Sequence, residues 1–257
     1  RHITILDDES DSRYTASSVL DEKSTEDDVF DTVGASAVQW FWDGFNTAII
    51  ANGESGSGKT YTLHGNNFGL CGMILASIFH RRQTYEDPSA ISVALSCWEC
   101  RGENLVDLLA DNSYEMSSKR TAQFDFVTLH AADLRAALDI LKSSRRRSVN
   151  WLAEGHYSGE TANDDKNIAM AMLPNEAHGF IRIVLHNALD MRASTMHIVD
   201  CIGEDTNIST SVQSNSNAVA RSNKHDRKSL KQNAIVAKQL LSFRRLIDEL
   251  CSHKRNS

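Results

Sequence analysis

Proline is nearly missing from this chain: only 2 occur in 257 residues, which excludes a Pro-rich linker. No apolar run approaches the roughly 20 residues that a membrane-spanning helix needs, so no membrane segment is expected. The opening Arg1-His2-Ile3-Thr4-Ile5 carries neither a signal-peptide pattern nor an initiator Met, and a fragment is expected. Cysteine is sparse and odd in number. The 5 residues, Cys71, Cys97, Cys100, Cys201 and Cys251, are too scattered for a disulfide framework and fit a reducing compartment. Cys97-Trp98-Glu99-Cys100 has CxxC spacing, but it falls in an alternating stretch that reads as a strand. Residues three apart on a strand face opposite sides, so buried thiols are expected rather than a metal pair. The remaining histidines lack metal-ligand spacing. Aromatics are not interleaved with Lys142, Arg145, Arg146 and Arg147, so these read as a basic helix end rather than a nucleic-acid surface.

What is present fits a globular domain. Hydrophobic residues make up 41% of the chain, enough for a sizeable core. The net charge of -7 is unevenly spread. Residues 7–28 are rich in Asp and Glu. The C-terminal part is basic through Arg221, Lys224, Arg227, Lys228, Lys231, Lys238, Arg244, Arg245, Lys254 and Arg255. That asymmetry points to an acidic partner for the C-terminal face.

Periodicity gives the order of elements. Weak strands are expected at 2–6 and 12–20. Ser24-Thr25-Glu26-Asp27-Asp28 supplies a cap and an acidic first turn before a helical pattern that ends near Gly44. The run 47–51 has the length of a buried strand. Helices are expected from Lys59 and over 73–82, 131–147 and 229–251. Strands are expected at 91–100, 180–185 and 195–199, and residues 150–178 and 205–225 read as irregular. Strands alternating with helices predict one α/β layered domain.

Gly53-Glu54-Ser55-Gly56-Ser57-Gly58-Lys59-Thr60 fits the phosphate-binding pattern G-x-x-x-x-G-K-[ST] in full. Glycines let the backbone curl so that its N–H groups surround phosphates, and the following helix adds its positive end. Lys59 is placed to reach the β- and γ-phosphates, and the Thr60 hydroxyl to bind Mg²⁺. Met196-His197-Ile198-Val199-Asp200-Cys201-Ile202-Gly203 supplies a second acidic site after an apolar strand. Asp200 is expected to hold Mg²⁺ through water, and the Gly203 N–H to sense the γ-phosphate.

At these positions the chain resembles the kinesin motor domain. The resemblance runs from Asp27-Asp28-Val29-Phe30-Asp31 through Trp42-Asp43-Gly44-Phe45-Asn46-Thr47 into the loop, and on through Tyr61-Thr62-Leu63-His64-Gly65. It continues in Ser96, Glu99, Glu103, Asp107, Leu108 and Leu109, in the segment 198–203, and in Lys238, Leu240, Phe243, Leu246, Ile247 and Leu250 of a long last helix. The resemblance implies a P-loop NTPase fold with a central, mostly parallel sheet flanked by helices. It implies a single motor-like domain over 1–257, incomplete at both ends. ATP and Mg²⁺ are the implied cofactors, bound by residues 53–61 including Tyr61, with Thr60 and Asp200 on the metal and Lys59, Asp200 and Gly203 as the catalytic set. Microtubules are the implied partner, reached through the basic C-terminal helix, and the implied location is the cytoplasm and cytoskeleton.

The chain departs from the family at the first switch. Kinesins carry a serine pair, an arginine and a histidine there. The best register here is Pro174-Asn175-Glu176-Ala177-His178, which keeps only His178 and sets Glu176 against Asp205, and the other candidate, Tyr157-Ser158-Gly159-Glu160-Thr161, also lacks the arginine. Two readings stay open: a microtubule-stimulated ATPase, and a kinesin-shaped module that does not hydrolyse. A GTPase is a third reading, from Asn223-Lys224-His225-Asp226, which spells N-K-x-D but follows Ser/Asn-rich sequence instead of a strand.

Overall fold

The structure is a computed structural model that describes residues 2–6, 11–65, 68–101, 104–110, 115–116, 126–148 and 177–203. A hairpin comes first, β1 (His2–Leu6) and β2 (Asp11–Thr15). The expected strand over 12–20 therefore ends five residues early. Thr25 caps α1 (Glu26–Val29): its side chain accepts from the Asp28 N–H, and the Asp28 carboxylate accepts from the Thr25 N–H at 2.7 Å. This reciprocal pair satisfies two donors that a helix start leaves open. The helix continues through a π-helical segment (Phe30–Gly34) into α2 (Ala35–Trp42).

Next come β3 (Thr47–Ala51), α3 (Lys59–His64), α4 (Gly69–Gln83), β4 (Ile91–Arg101), β5 (Asn104–Asp107), β6 (Glu115–Met116) and β7 (Leu129–Ala131). After them follow α5 (Leu134–Arg147), β8 (Ala177–Asn187) and β9 (Arg192–Asp200). The helix expected from residue 131 starts three residues later. Ala131 pairs with Val93 in the sheet, and Asp133 accepts from the Ala136 N–H at 2.8 Å to open α5.

The sheet runs in the order β3-β9-β8-β4-β5-β6, with β7 also on β4. It is mixed, where the resemblance implies a mostly parallel sheet. Among the described pairs only β3 and β9 are parallel. The reason is connection length. Four residues join β8 to β9 and two join β4 to β5, and such short links serve only antiparallel neighbours.

Alternation along the strands sorts the two faces. Ile49, Ile198, Ile181 and Cys97 lie side by side across β3, β9, β8 and β4 and are all buried. They share one core with Leu70, Cys71, Ile74, Leu75, Ile78 and Phe79 of α4, Leu141 of α5 and Phe41 of α2. Full burial of a side chain such as Leu75 contributes about 2 kcal/mol. On the opposite face Trp98 stacks between Phe126 (centroids 4.3 Å apart) and Phe180 (5.4 Å). Arg182 lies over the Trp98 ring and donates to the Ser96 hydroxyl at 2.9 Å. Cys97 is buried and Cys100 half-buried, as the strand reading expects, and burial pushes the Cys97 thiol up to about 12. Among the described residues no helix is long and apolar enough to cross a membrane.

Candidate functional site

Two parallel strands end side by side. Ala51 at the end of β3 pairs with Asp200 at the end of β9, and the Cys201 N–H donates to the Ala51 carbonyl at 3.0 Å. The loops that leave the two strands face each other there, as ligand sites do at the carboxyl ends of parallel strands. The first loop needs its glycines for conformation. Gly53, Gly56 and Gly58 have φ of 152°, 78° and 87°, values that strain any other residue. Gly58 passes directly into α3, where the Thr62 N–H donates to its carbonyl at 2.8 Å.

The Lys59 ammonium donates to the Gly53 carbonyl at 3.0 Å and the Glu54 carbonyl at 2.6 Å, folding back over the loop. The Thr60 hydroxyl donates to Asp200 Oδ2 at 2.7 Å. Asp200 is 8% exposed, and its Oδ1 is buried without a hydrogen-bond partner. Burial raises the Asp200 carboxyl above the ordinary carboxylate range and the charge of Glu99 adds to this, while the Thr60 bond and the charges of Arg145 and Lys59 oppose it. Gly203 lies against the loop so closely that an added Cβ would sit 2.5 Å from Ser55 Cα.

An open pocket of about 200 Å³ is lined by Ser55, Lys59, Thr60, Tyr61, Asp200 and Gly203 among others. Gly56 and Gly58 also line it. Gly53, Glu54 and Ser57 do not, and the first two instead offer carbonyls to Lys59. Tyr61 is 55% exposed at the rim. The pocket is smaller than the roughly 300–1,000 Å³ of whole small-molecule sites, which suits the phosphates and metal rather than the base.

These residues fit Mg²⁺ bound to a phosphate. A buried carboxylate oxygen without a partner, a hydroxyl beside it and a lysine on the adjacent loop match the hard-oxygen chemistry that Mg²⁺ takes. Among the described residues no group of three or more His, Cys, Asp or Glu gathers as a separate metal centre.

Three groups stand behind the site. The sequence reading names Glu99 and His178 only through the resemblance, and Arg145 only as part of a basic helix end. Glu99 is 2% exposed, and the Ser148 hydroxyl donates to it. The signal was its place on β4 in step with Val93, Leu95 and Cys97, all of which face the core. Arg145 lies in the basic last turn of α5, as the sequence reading expects, and it is also 9% exposed, with its charge reaching Asp200, His64 and Cys71. Residues 134, 138, 141 and 145 fall on one helix face, which carries Arg145 inward. Arg147 donates to the Ala110 carbonyl, so it too is tied to the fold. The third group is His178, which accepts at Nδ1 from the Ile202 N–H at 3.2 Å. Glu103, the first-switch candidates 157–161 and 174–176, Asp205, the N-K-x-D tetrapeptide at 223–226 and the basic helix over 229–251 lie outside the described residues.

A family model described as the kinesin motor domain matches residues 2–257. The chain belongs to the kinesin motor family. Kinesin-like protein 5 of Schizosaccharomyces pombe is 24% identical over 257 residues, covering 95% of this chain and 27% of that protein. Kinesin-like protein KIN-12B of Oryza sativa subsp. japonica is 52% identical over 52 residues, or 20% of this chain and 5% of that protein. A solved structure of mutants that concern activation of the kinesin motor ATPase superposes with a TM-score of 0.61 at 22% identity, covering 90% of this chain and 63% of that one. The structure of a fast kinesin gives 0.58 at 19% identity, over 79% and 58%. The kinesin fold, a P-loop NTPase sheet with flanking helices, is thus shared. The chain spans between 5% and 27% of the length of the first three curated relatives.

Proposed function

We propose that this kinesin-family chain binds Mg·ATP at 53–60 together with Asp200, and couples that binding to attachment and movement on microtubules at the cytoskeleton. The observation that carries the reading is the Thr60–Asp200 hydrogen bond of 2.7 Å, with Asp200 Oδ1 left over and buried beside it. It joins the phosphate loop to the end of β9 at the position where a nucleotide-bound metal needs oxygen ligands.

When bound, Mg²⁺ would neutralise phosphate charge. Thr60 and Asp200 would hold it, Asp200 through water. Lys59 would release the Gly53 and Glu54 carbonyls and turn to the phosphates. The Gly203 N–H would report the γ-phosphate to the segment that follows it. Tyr61 would lie near the base. The basic helix over 229–251 would face the acidic microtubule surface.

A second reading is a kinesin-shaped module that binds nucleotide without hydrolysing it. It is favoured by one feature of the sequence: residues 174–178 lack the serine pair and the arginine that the family places there. Titration with Mg·ATP, turnover with and without microtubules, and microtubule co-sedimentation separate the two, with Lys59→Ala as control and GTP in parallel. Binding with microtubule-stimulated turnover supports the motor. Binding without turnover supports the module.

A further inference from the structure

The chain keeps one residue of the family's first switch, His178, and the structure gives it a specific contact. His178 is the second residue of β8 and is 6% exposed. Its Nδ1 accepts from the backbone N–H of Ile202 at 3.2 Å, a bond buried at both ends. Accepting there requires the ring proton to sit on Nε2, so the imidazole is neutral. Burial favours that state by holding His178 below the ordinary histidine range.

The position of Ile202 gives the bond its consequence. Its neighbour Gly203 packs on the phosphate loop, with Ser55 Cα only 2.5 Å from where a Cβ would stand. On the other side, Gly179 pairs with Asp200 in the sheet. The backbone from Asp200 to Gly203 is therefore pinned at four points: by the sheet at Asp200, by the Ala51 carbonyl at Cys201, by His178 at Ile202 and by the loop at Gly203. Of these, the pin at Ile202 is the one made by a side-chain acceptor, so it can be changed without altering backbone. Without an acceptor, a buried Ile202 N–H would be left unsatisfied, and the turn would shift to find another partner.

We infer that His178 is a positioning residue that sets the turn after β9, and through it aims the Gly203 N–H at the γ-phosphate. The inference rests on the nucleotide reading above for its consequence, but the latch itself does not. His178 does not line the pocket. It acts on triphosphate recognition and leaves diphosphate affinity alone, because only the γ-phosphate meets Gly203.

Two variants test it. H178N keeps an acceptor at nearly the same distance from the backbone, and H178L keeps apolar bulk but removes the acceptor. The first measurement is amide hydrogen exchange at Ile202 in the nucleotide-free protein. Slow exchange in the wild type and in H178N, and fast exchange in H178L, is expected. The second is the dissociation constant for a non-hydrolysable ATP analogue and for ADP, each with Mg²⁺. H178L is expected to weaken the triphosphate about tenfold, the size of one buried hydrogen bond, with ADP unchanged and H178N close to wild type. Equal weakening of both nucleotides in H178L, or fast Ile202 exchange already in the wild type, would overturn the inference. If the wild type binds neither nucleotide while Ile202 exchange follows the expected order, the nucleotide reading fails and the latch stands.

Discussion

Thr60 and Asp200 are 140 positions apart in sequence, and the hydroxyl of one donates to the carboxylate of the other at 2.7 Å. The bond exists because β3 and β9 run parallel and end level, which brings the first turn of α3 to the strand that carries Asp200. It places a hydroxyl and a buried carboxylate together at the mouth of the phosphate loop.

Asp200→Asn is expected to separate stability from binding. Burial raises the Asp200 carboxyl, so the folded state binds its proton more tightly than the unfolded state does. Such a group stabilises the fold below its unfolded value, and that contribution is lost as pH rises through the folded value. At neutral pH the ionised group therefore opposes folding, and D200N removes that cost while keeping an acceptor for Thr60. Thermal melts at pH 7.5 without nucleotide should show D200N at or above the wild-type Tm. Isothermal titration should show its Mg²⁺-dependent nucleotide binding abolished.

Gly203→Ala is expected to disturb the site from the other side. Its Cβ would meet backbone at Ser55, which cannot swing away as a side chain can. Such overpacking costs typically about 1–3 kcal/mol. Urea unfolding should register that loss, and fluorescence titration should show weaker nucleotide binding, since the phosphate loop itself is displaced.

Acid should destabilise the protein through three histidines that burial holds below the ordinary value of 6.5: His64, His178 and His197. Each is neutral in the fold and takes up its proton more readily when unfolded. Their contribution is therefore complete above about pH 6.5 and declines as pH falls through that value toward the folded ones. His64 is shifted well down, and its Nδ1 is buried without a hydrogen-bond partner. Urea midpoints measured from pH 8 to pH 5 should fall with acidity, and H64L should flatten the decline.

The stack on the face opposite the α4 core carries stability of its own. Trp98 lies nearly parallel to Phe126 and Phe180, with interplanar angles of 9° and 3°. Trp98→Leu is expected to cost about 2–3 kcal/mol, from lost contact area and the two ring pairs. Guanidinium unfolding measures it, and nucleotide affinity should hold, because neither Trp98 nor its two ring partners lines the pocket.

The sequence made the site more legible than its surroundings. The loop 53–60, strand 47–51 and Asp200 at the end of its strand follow from short-range patterns, because glycine spacing and an apolar run are local facts. The Thr25–Asp28 cap and the helix from Lys59 were readable for the same reason. Strand direction was not, since it depends on which strands become neighbours. β8 and β9 pair through a four-residue turn that periodicity does not reveal. Ala131 falls in the helical pattern over 131–147, yet pairing with Val93 decides its state. The basic helix end at Arg145 was legible from its charge, but its burial was not, since the face it shares with Leu141 carries it inward.

The central claim is that the phosphate loop and Asp200 hold Mg·ATP in the service of microtubule movement. The most direct test is nucleotide binding and ATP turnover by the wild type and Lys59→Ala, each with and without microtubules. The account predicts Mg²⁺-dependent ATP binding that microtubules modulate and that Lys59→Ala abolishes. Absence of ATP binding by the folded wild-type protein, or binding that survives Lys59→Ala unchanged, would contradict it.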